Sequence, residues 1–386
     1  MAETWRDSNY GYRKEITVQN ANIDGDLTDF PVLIAWASDT DINTTGSKVQ
    51  ADLDDIRFYD GSGTLLKFEV NNYTIDGTDS TASVWVKKPT LKTSPAGNDN
   101  KIWMYYGYAS ATNGEDAANT WEANFVAVWH LEENPDDGFS DSSGNGHSGT
   151  EGVAAMTSTD SVAGQVGNAI DLDGASDHID FGDDAAFSFG DGSTDSPFSV
   201  SFWANFDDTD TQMPIGKYDG GLNEWAIYMF SSSGINFNLV DESTNAQIGK
   251  YGTGSMPTGS WNHWGATYDG SGGSGGIELY KDGASNYGGT DDSGSYTAME
   301  NLTTKLLLGY RATDTAWAVD GTIDEMRLSS VERSAAWIKF ECFNMNEADN
   351  ELTWSAEEEP GGGPTMPVLL EGGMLRGGFQ TMSGGM

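Results

Sequence analysis

Strict alternation of apolar and polar residues is the feature that most limits what this chain can become. In the stretch Phe198–Phe206, Phe198, Val200, Phe202, Ala204 and Phe206 point one way, and mostly polar residues point the other. Successive side chains of a strand face opposite sides of a sheet, so a period of two predicts a half-buried antiparallel strand. The same alternation recurs at residues 12–18, 82–86, 102–106, 225–229 and 235–239. Two continuous apolar runs, residues 31–36 and 125–131, read as strands buried on both faces. The punctuation agrees. Ten Asp-Gly pairs, beginning at Asp24, Asp60, Asp76, Asp137, Asp173, Asp191, Asp219, Asp269, Asp282 and Asp320, supply the positive φ that tight hairpins need. One segment reads as a helix: Ser334 as N-cap, followed by Ala335 to Glu341 with Trp337, Phe340 and Glu341 on adjacent faces. A shorter helical turn is expected near residues 116–121. Helices are too few to sit between strands, so the fold class is all-β.

Charge narrows the partners. The chain carries 60 Asp and Glu against 19 Lys and Arg, a net charge of −41 over 386 residues. A phosphate backbone needs a clustered basic surface, so a nucleic-acid partner is not expected. An anionic membrane surface is disfavoured for the same reason, and no apolar run is long enough to insert in a bilayer. The single Cys342 excludes an internal disulfide framework and a multi-cysteine zinc site. Residues 1–7 show no basic start and no apolar core, so no signal peptide is read in this chain.

Composition places the boundaries. Residues 1–125 form a first β-sandwich and residues 126–346 a second, in tandem and jelly-roll-like, with the break after the polar stretch 113–124. Residues 347–386 read as a linker and an extended C-terminal arm. Three like charges at Glu357–Glu359, the prolines Pro360 and Pro364 and the three glycines between them read as an extended linker. The Gly- and Met-rich end cannot form its own core. It reads either as a mobile tail or as an arm that docks on a neighbouring subunit through Val368, Leu369, Leu370, Met374, Leu375 and Phe379.

Several blocks in the second segment carry a resemblance. They are Val128-Trp129-His130-Leu131, Asp141-Ser142-Ser143-Gly144-Asn145-Gly146, Ala169-Ile170-Asp171-Leu172-Asp173-Gly174, Trp261-Asn262-His263-Trp264, Leu279-Tyr280-Lys281-Asp282-Gly283 and Gly321-Thr322-Ile323-Asp324-Glu325. In this order, together with the strand Phe198–Phe206, they resemble a laminin-G-like domain of the concanavalin A-like sandwich superfamily. The first segment, through Tyr12-Arg13-Lys14-Glu15-Ile16, Asp55-Ile56-Arg57-Phe58 and Val84-Trp85-Val86-Lys87, resembles a small domain of unknown function that precedes such modules in microbial and viral surface proteins.

Three chemistries are weighed. Asp141, Ser143 and Asn145 place oxygen donors at alternate positions before a turn glycine, as loops that wrap calcium do. Asp173, Asp177 and Asp324 are the expected further ligands, and the resemblance implies a rim calcium. The alternative is that Asp141, Ser143 and Asn145 cap their own turn. Sugar sites combine aromatic platforms with Asp and Asn acceptors, and Tyr218, Trp225, Tyr310 and Trp317 are the aromatics considered. Catalysis has little support. Adjacent Asp324 and Glu325 are expected on opposite faces of a strand, which is a poor acid and nucleophile pair. No catalytic residues are expected. The function that follows is a non-enzymatic exterior surface or adhesion protein, in first place a virion structural protein such as a head decoration, head fibre or tail-associated protein. It would hold to other subunits or its own copies through the arm and display a glycan- or protein-binding module. A secreted lectin-like protein is the alternative, and a polysaccharide-active enzyme is less favoured.

Overall fold

The computed structural model describes residues 4–78, 80–152, 156–311, 317–346 and 351–361. The first domain is built from β1 (Tyr12–Val18), β2 (Leu27–Trp36), β3 (Arg57–Asp60), β4 (Phe68–Ile75), β5 (Ser80–Leu91) and β6 (Lys101–Tyr106), followed by a one-turn helix α1 (Ala117–Thr120). The second domain runs through β7 (Phe125–Trp129), β8 (Thr150–Glu151), β9 (Ser161–Ala163), β10 (Asn168–Asp173), β11 (Ile179–Asp180), β12 (Phe198–Phe206), β13 (Gln212–Tyr218) and β14 (Asn223–Phe230). It continues with β15 (Gly234–Asp241), β16 (Ala246–Tyr251), β17 (Asn262–Tyr268), β18 (Ile277–Lys281), β19 (Ala284–Ser285), β20 (Gly289–Thr290), β21 (Leu307–Leu308) and β22 (Asp320–Ser329). Helix α2 (Ala335–Met345) and a last strand β23 (Leu352–Trp354) complete the described chain.

Each domain is a pair of antiparallel sheets. The first domain packs the order β23-β1-β6-β3 against β2-β5-β4. The second packs β19-β18-β17-β12-β22-β10-β9, with β7 on β22, against β20-β16-β15-β14-β13-β21-β11-β8. Its core holds Phe198, Val200, Phe202, Ala204 and Phe206 from β12 opposite Trp225, Ile227, Met229, Ile235, Phe237 and Leu239. The expected turns form as well. Seven of the ten Asp-Gly glycines have positive φ: Gly138, Gly174, Gly192, Gly220, Gly270, Gly283 and Gly321. At the β18–β19 hairpin both Asp282 and Gly283 are left-handed, and Lys281 pairs with Ala284 across a two-residue loop.

The polar face of β12 departs from the half-buried expectation, since Ser199, Ser201 and Trp203 are buried too. The cause is α2, which lies between the domains. Ser334 caps it as the sequence predicts, its hydroxyl accepting from the Trp337 amide at 3.2 Å. Trp337 and Phe340 pack on Phe30 of the first domain, with ring centroids 4.7 and 5.1 Å away. On the other side Ile338 meets Gly265 of β17, where a Cβ would lie 3.0 Å from the Ile338 Cγ2. Asn344 seals the free edge of β2: its Oδ1 accepts from the Leu33 amide at 2.7 Å and its Nδ2 donates to the Leu33 carbonyl at 3.1 Å.

A second departure concerns residues 351–361, expected as free linker. Leu352, Thr353 and Trp354 pair with Val18, Thr17 and Ile16 of β1. Glu358 pairs with Arg13 at 2.7 Å and Glu357 with Lys48 at 2.8 Å. The chain thus returns after α2 to complete the first sheet. The arm residues Val368, Leu369, Leu370, Met374, Leu375 and Phe379 lie outside the described residues.

The domains are joined by a buried charge network. Arg327 of β22 donates to Glu325 at 2.8 Å and faces Glu341 of α2 at 3.4 Å. Its guanidinium lies over Trp85 and Trp121 of the first domain, 4.5 and 5.1 Å from the ring centroids. His130 contacts Glu325 at 2.8 Å on one side and Glu69 of the first domain at 3.5 Å on the other. Trp121 donates to Glu69 at 2.7 Å and Ser142 donates to it at 2.6 Å. Burial alone would strip His130 of its proton, but Glu325 and Glu69 outweigh it and hold the ring well above its ordinary value. Burial would likewise raise Glu341; Arg327 and His263 overcome it and bring the carboxyl down to about 2.

Two outcomes follow. Gly265→Val drives a branched side chain into Ile338 and should cost about 1–3 kcal/mol in denaturant unfolding. Glu341 titrates lower in the folded chain, so its contribution is full above its ordinary 4.5 and is lost as pH falls from there toward about 2. Glu341→Gln should lose about 3–5 kcal/mol at neutral pH, because it leaves Arg327 buried without this partner. The gap from wild type should narrow as urea unfolding is repeated at falling pH.

Candidate functional site

The sheet that faces away from the first domain offers an outer surface of mixed aromatic and amide character. Core residues Ile227 and Met229 alternate along β14 with outward Ala226, Tyr228 and Phe230. Along β15, core Ile235, Phe237 and Leu239 alternate with Asn236, Asn238 and Val240. The registers set two cross-strand rows. Tyr228 is opposite Asn236, which is opposite Tyr251. Gly216 is opposite Ala226, then Asn238, then Gly249. The second row is almost bare of side chains apart from Asn238.

Asn238 lies across that row. A Cβ on Gly249 would come 2.5 Å from its Oδ1, so only glycine leaves the amide room. Its Nδ2 donates to Asp291 at 3.1 Å, and Gln247 donates to the same carboxylate at 3.0 Å. The Asn238 Oδ1 is buried and accepts no hydrogen bond from a described residue, which normally costs about 1–3 kcal/mol for such a group. Beside it, Asn236 accepts from Ser233 at 2.9 Å. Phe230, Asn236, Tyr251 and Asp291 line an open groove of about 570 Å³. Tyr251 is among the few large apolar side chains left exposed, at 37 %.

One end of this face is an aromatic cluster. Tyr228 meets Trp317 edge-on at 5.0 Å and Tyr218 at 5.6 Å. Arg311 lies over both flanking rings, 4.4 Å from Trp317 and 5.1 Å from Tyr218. Burial pushes the Tyr228 hydroxyl well above its ordinary value, so it stays a neutral donor.

The expected sugar aromatics therefore divide. Tyr218 and Trp317 come together on this face. Tyr310 is elsewhere: it stacks on His178 at 4.7 Å, in a pocket with Glu151, Asp180 and Lys305. Trp225 is corrected outright. It is fully buried in the sandwich core and donates to the Phe187 carbonyl at 2.8 Å, because its parity along β14 matches Ile227. Tyr228, Asn236, Asn238, Tyr251 and Asp291 were not singled out from sequence. The usable signal was the pair of asparagines alternating with Ile235, Phe237 and Leu239.

The expected calcium ligands are not brought together. Asp141 accepts from the amides of Val128, Ser143 and His147 at 3.1, 2.9 and 3.0 Å, so both of its oxygens hold the loop. Asn145 turns its Nδ2 to the carbonyls of Phe125 and Val126, and Ser143 donates to Val126. Asp173 caps its own turn through the amides of Ala175, Ser176 and Asp177. Asp324 is fully buried and accepts from the amides of Gln165 and Val166. Among the described residues no group of three or more His, Cys, Asp or Glu side chains is arranged to hold a metal. The loop fits the turn-capping alternative. Asp141→Ala should lower stability by about 1–3 kcal/mol, by the same amount with calcium or with chelator in thermal melts.

Asp324 and Glu325 need a different correction. A bulge sets Ser201 opposite Arg327 and Trp203 opposite Asp324, with Glu325 at φ 51°. Ile323, Met326 and Leu328 face the core, so the extra residue puts both carboxylates on the side turned to the first domain. Both are fully buried in that junction, and neither is open to a substrate.

Comparison with known proteins agrees with this architecture. Residues 173–339 match the concanavalin A-like lectin/glucanases superfamily in its laminin-G form, and residues 52–142 match a domain of unknown function, DUF2341. The chain thus carries a laminin-G-like sandwich preceded by that domain. No curated protein matches the sequence. Among solved structures, it is similar to domain 4 of AbnA, an extracellular arabinanase from Geobacillus stearothermophilus, in complex with arabinotriose. Identity there is 20 %, covering 57 % of this chain and 98 % of that one, with a TM-score of 0.41. It is also similar to the binding domain of Paraclostridial Mosquitocidal Protein 1, at 13 % identity, 57 % and 52 % coverage and a TM-score of 0.43. The receptor binding domain of botulinum neurotoxin type G gives 14 %, 57 %, 51 % and 0.40. The chain spans about half the length of those two toxin binding domains.

Proposed function

We propose that this chain is a non-enzymatic surface protein whose laminin-G-like domain binds carbohydrate on the outer face of β13–β16. The groove itself carries the reading: it is open and joins an exposed tyrosine ring to amide and carboxylate side chains, the combination sugar sites use. Tyr251 offers a ring to stack on, Asn236 and Asp291 offer polar contacts, and the superfamily description includes lectins. The buried state of Asp324 and Glu325 speaks against glycosidase chemistry by that pair. The strong negative charge favours neutral glycans over acidic ones.

A glycan array with the full chain, followed by calorimetry on the best ligand, tests this. Asn236→Ala and Tyr251→Ala should each weaken binding about tenfold or more, the cost of one good polar or stacking contact. Tyr310→Ala, on the separate pocket, should leave it unchanged. Absence of glycan binding by the wild-type chain would overturn the reading. The exterior setting, on a virion or a cell, extends the proposal, with residues 362–386 as the docking arm. Deleting them should leave a folded protein that binds glycan but no longer joins its assembly.

A further inference from the structure

Lys88 occupies an unusual place in the first domain. Val84, Val86 and Lys88 share one face of β5. Phe68, opposite Val86, meets Phe58 of the other sheet at 5.3 Å, so this face lies between the sheets. A lysine here stands where the sandwich pattern calls for an apolar residue. It is only 4 % exposed. Its stem runs between the sheets and its amine reaches the open end of the sandwich.

That end is a pocket of about 320 Å³, lined by Asp60, Ser62, Lys88, Lys92, Asn98 and Asp99. The other polar groups are committed. Asp60 accepts from the Ser62 amide, the Ser62 hydroxyl and the Thr64 amide at 2.9, 2.7 and 2.8 Å. Asn98 donates to the Gly61 carbonyl, Asp99 accepts from the Ala96 amide, and Lys92 pairs with Asp26 at 2.9 Å. The Lys88 amine has no hydrogen bond or ion pair to a described residue. Asp60 and Asp99 act on it only from beyond pairing distance. Burial pushes the amine below its ordinary value, and those two carboxylates offset only part of it.

We infer that this pocket binds an oxyanion, a carboxylate or phosphate group, with the Lys88 Nζ as its charge partner. The stem is buried and the amine opens on the pocket without an ion pair to a described residue, so an anionic oxygen there gives the cation a charge-assisted partner. The net charge of the chain does not forbid it, because at physiological ionic strength repulsion is screened beyond about 8 Å and the nearby cation decides. The site belongs to the domain of unknown function and is independent of the glycan face.

The test uses the full chain with isotope-labelled lysine side chains. Inorganic phosphate and sodium acetate are titrated separately and followed by NMR, which also ranks the two oxyanions. The Lys88 side-chain resonance should shift saturably with at least one of them, and its titration midpoint should rise. Lys88→Met should weaken the same titration, read at the Ser62 and Asn98 amides, by about tenfold or more. Lys88 should also be protected from reductive methylation by the bound anion in the wild-type chain, a readout that survives if Lys88→Met does not fold. No saturable shift with either anion, no protection, or an equal response to methyl glucoside would overturn the assignment.

Discussion

The contact on which the rest depends is the one Arg327 makes. Its guanidinium holds Glu325 and Glu341 from the second domain while lying over Trp85 and Trp121 of the first. A charge this deep is tolerated only when partners surround it. Here the partners come from β22, from α2 and from the first domain, so the two domains and the helix must be placed together. His130 extends the same logic, bridging Glu325 and Glu69 across the junction. The bulge at Glu325 is what turns two successive carboxylates toward this junction, and its left-handed backbone is held by the network it serves.

This arrangement divides the second domain into two unlike faces. One sheet gives its outer surface to α2 and the first domain, which is why Ser199, Ser201 and Trp203 are buried despite a polar pattern. The other sheet turns its outer surface away from the first domain, although Tyr228 and Asn238 on that surface are still largely buried. The groove by Asn236, Tyr251 and Asp291 lies on that second sheet.

The local structure was largely legible in the sequence. β1 and β12 begin and end where alternation begins and ends, and Ser334 caps α2 as its position before the apolar run requires. These are nearest-neighbour properties. What could not be read depends on partners far along the chain. Trp225 looked like a platform because its parity relative to the core is set by sheet pairing. Asp324 and Glu325 looked opposed because a bulge is defined by the partner strand. Residues 352–354 looked like linker because their pairing partner lies more than three hundred residues earlier. Asp141 was open to reading as a calcium ligand or as a turn cap until its amide partners, Val128 among them, were in place.

The return of the chain to β1 has a mechanical meaning. Arg13 lies beside Glu358, and Ile16 beside Trp354, so the two strands run antiparallel with residues 12 and 358 at one end. Tension applied between residues 10 and 360 would pass through this pair first, without loading the second domain. It would also open the pair like a zipper, one hydrogen bond after another, rather than shearing all of them at once. The first domain would act as a soft link that yields under load, while the second sandwich beyond it stays folded.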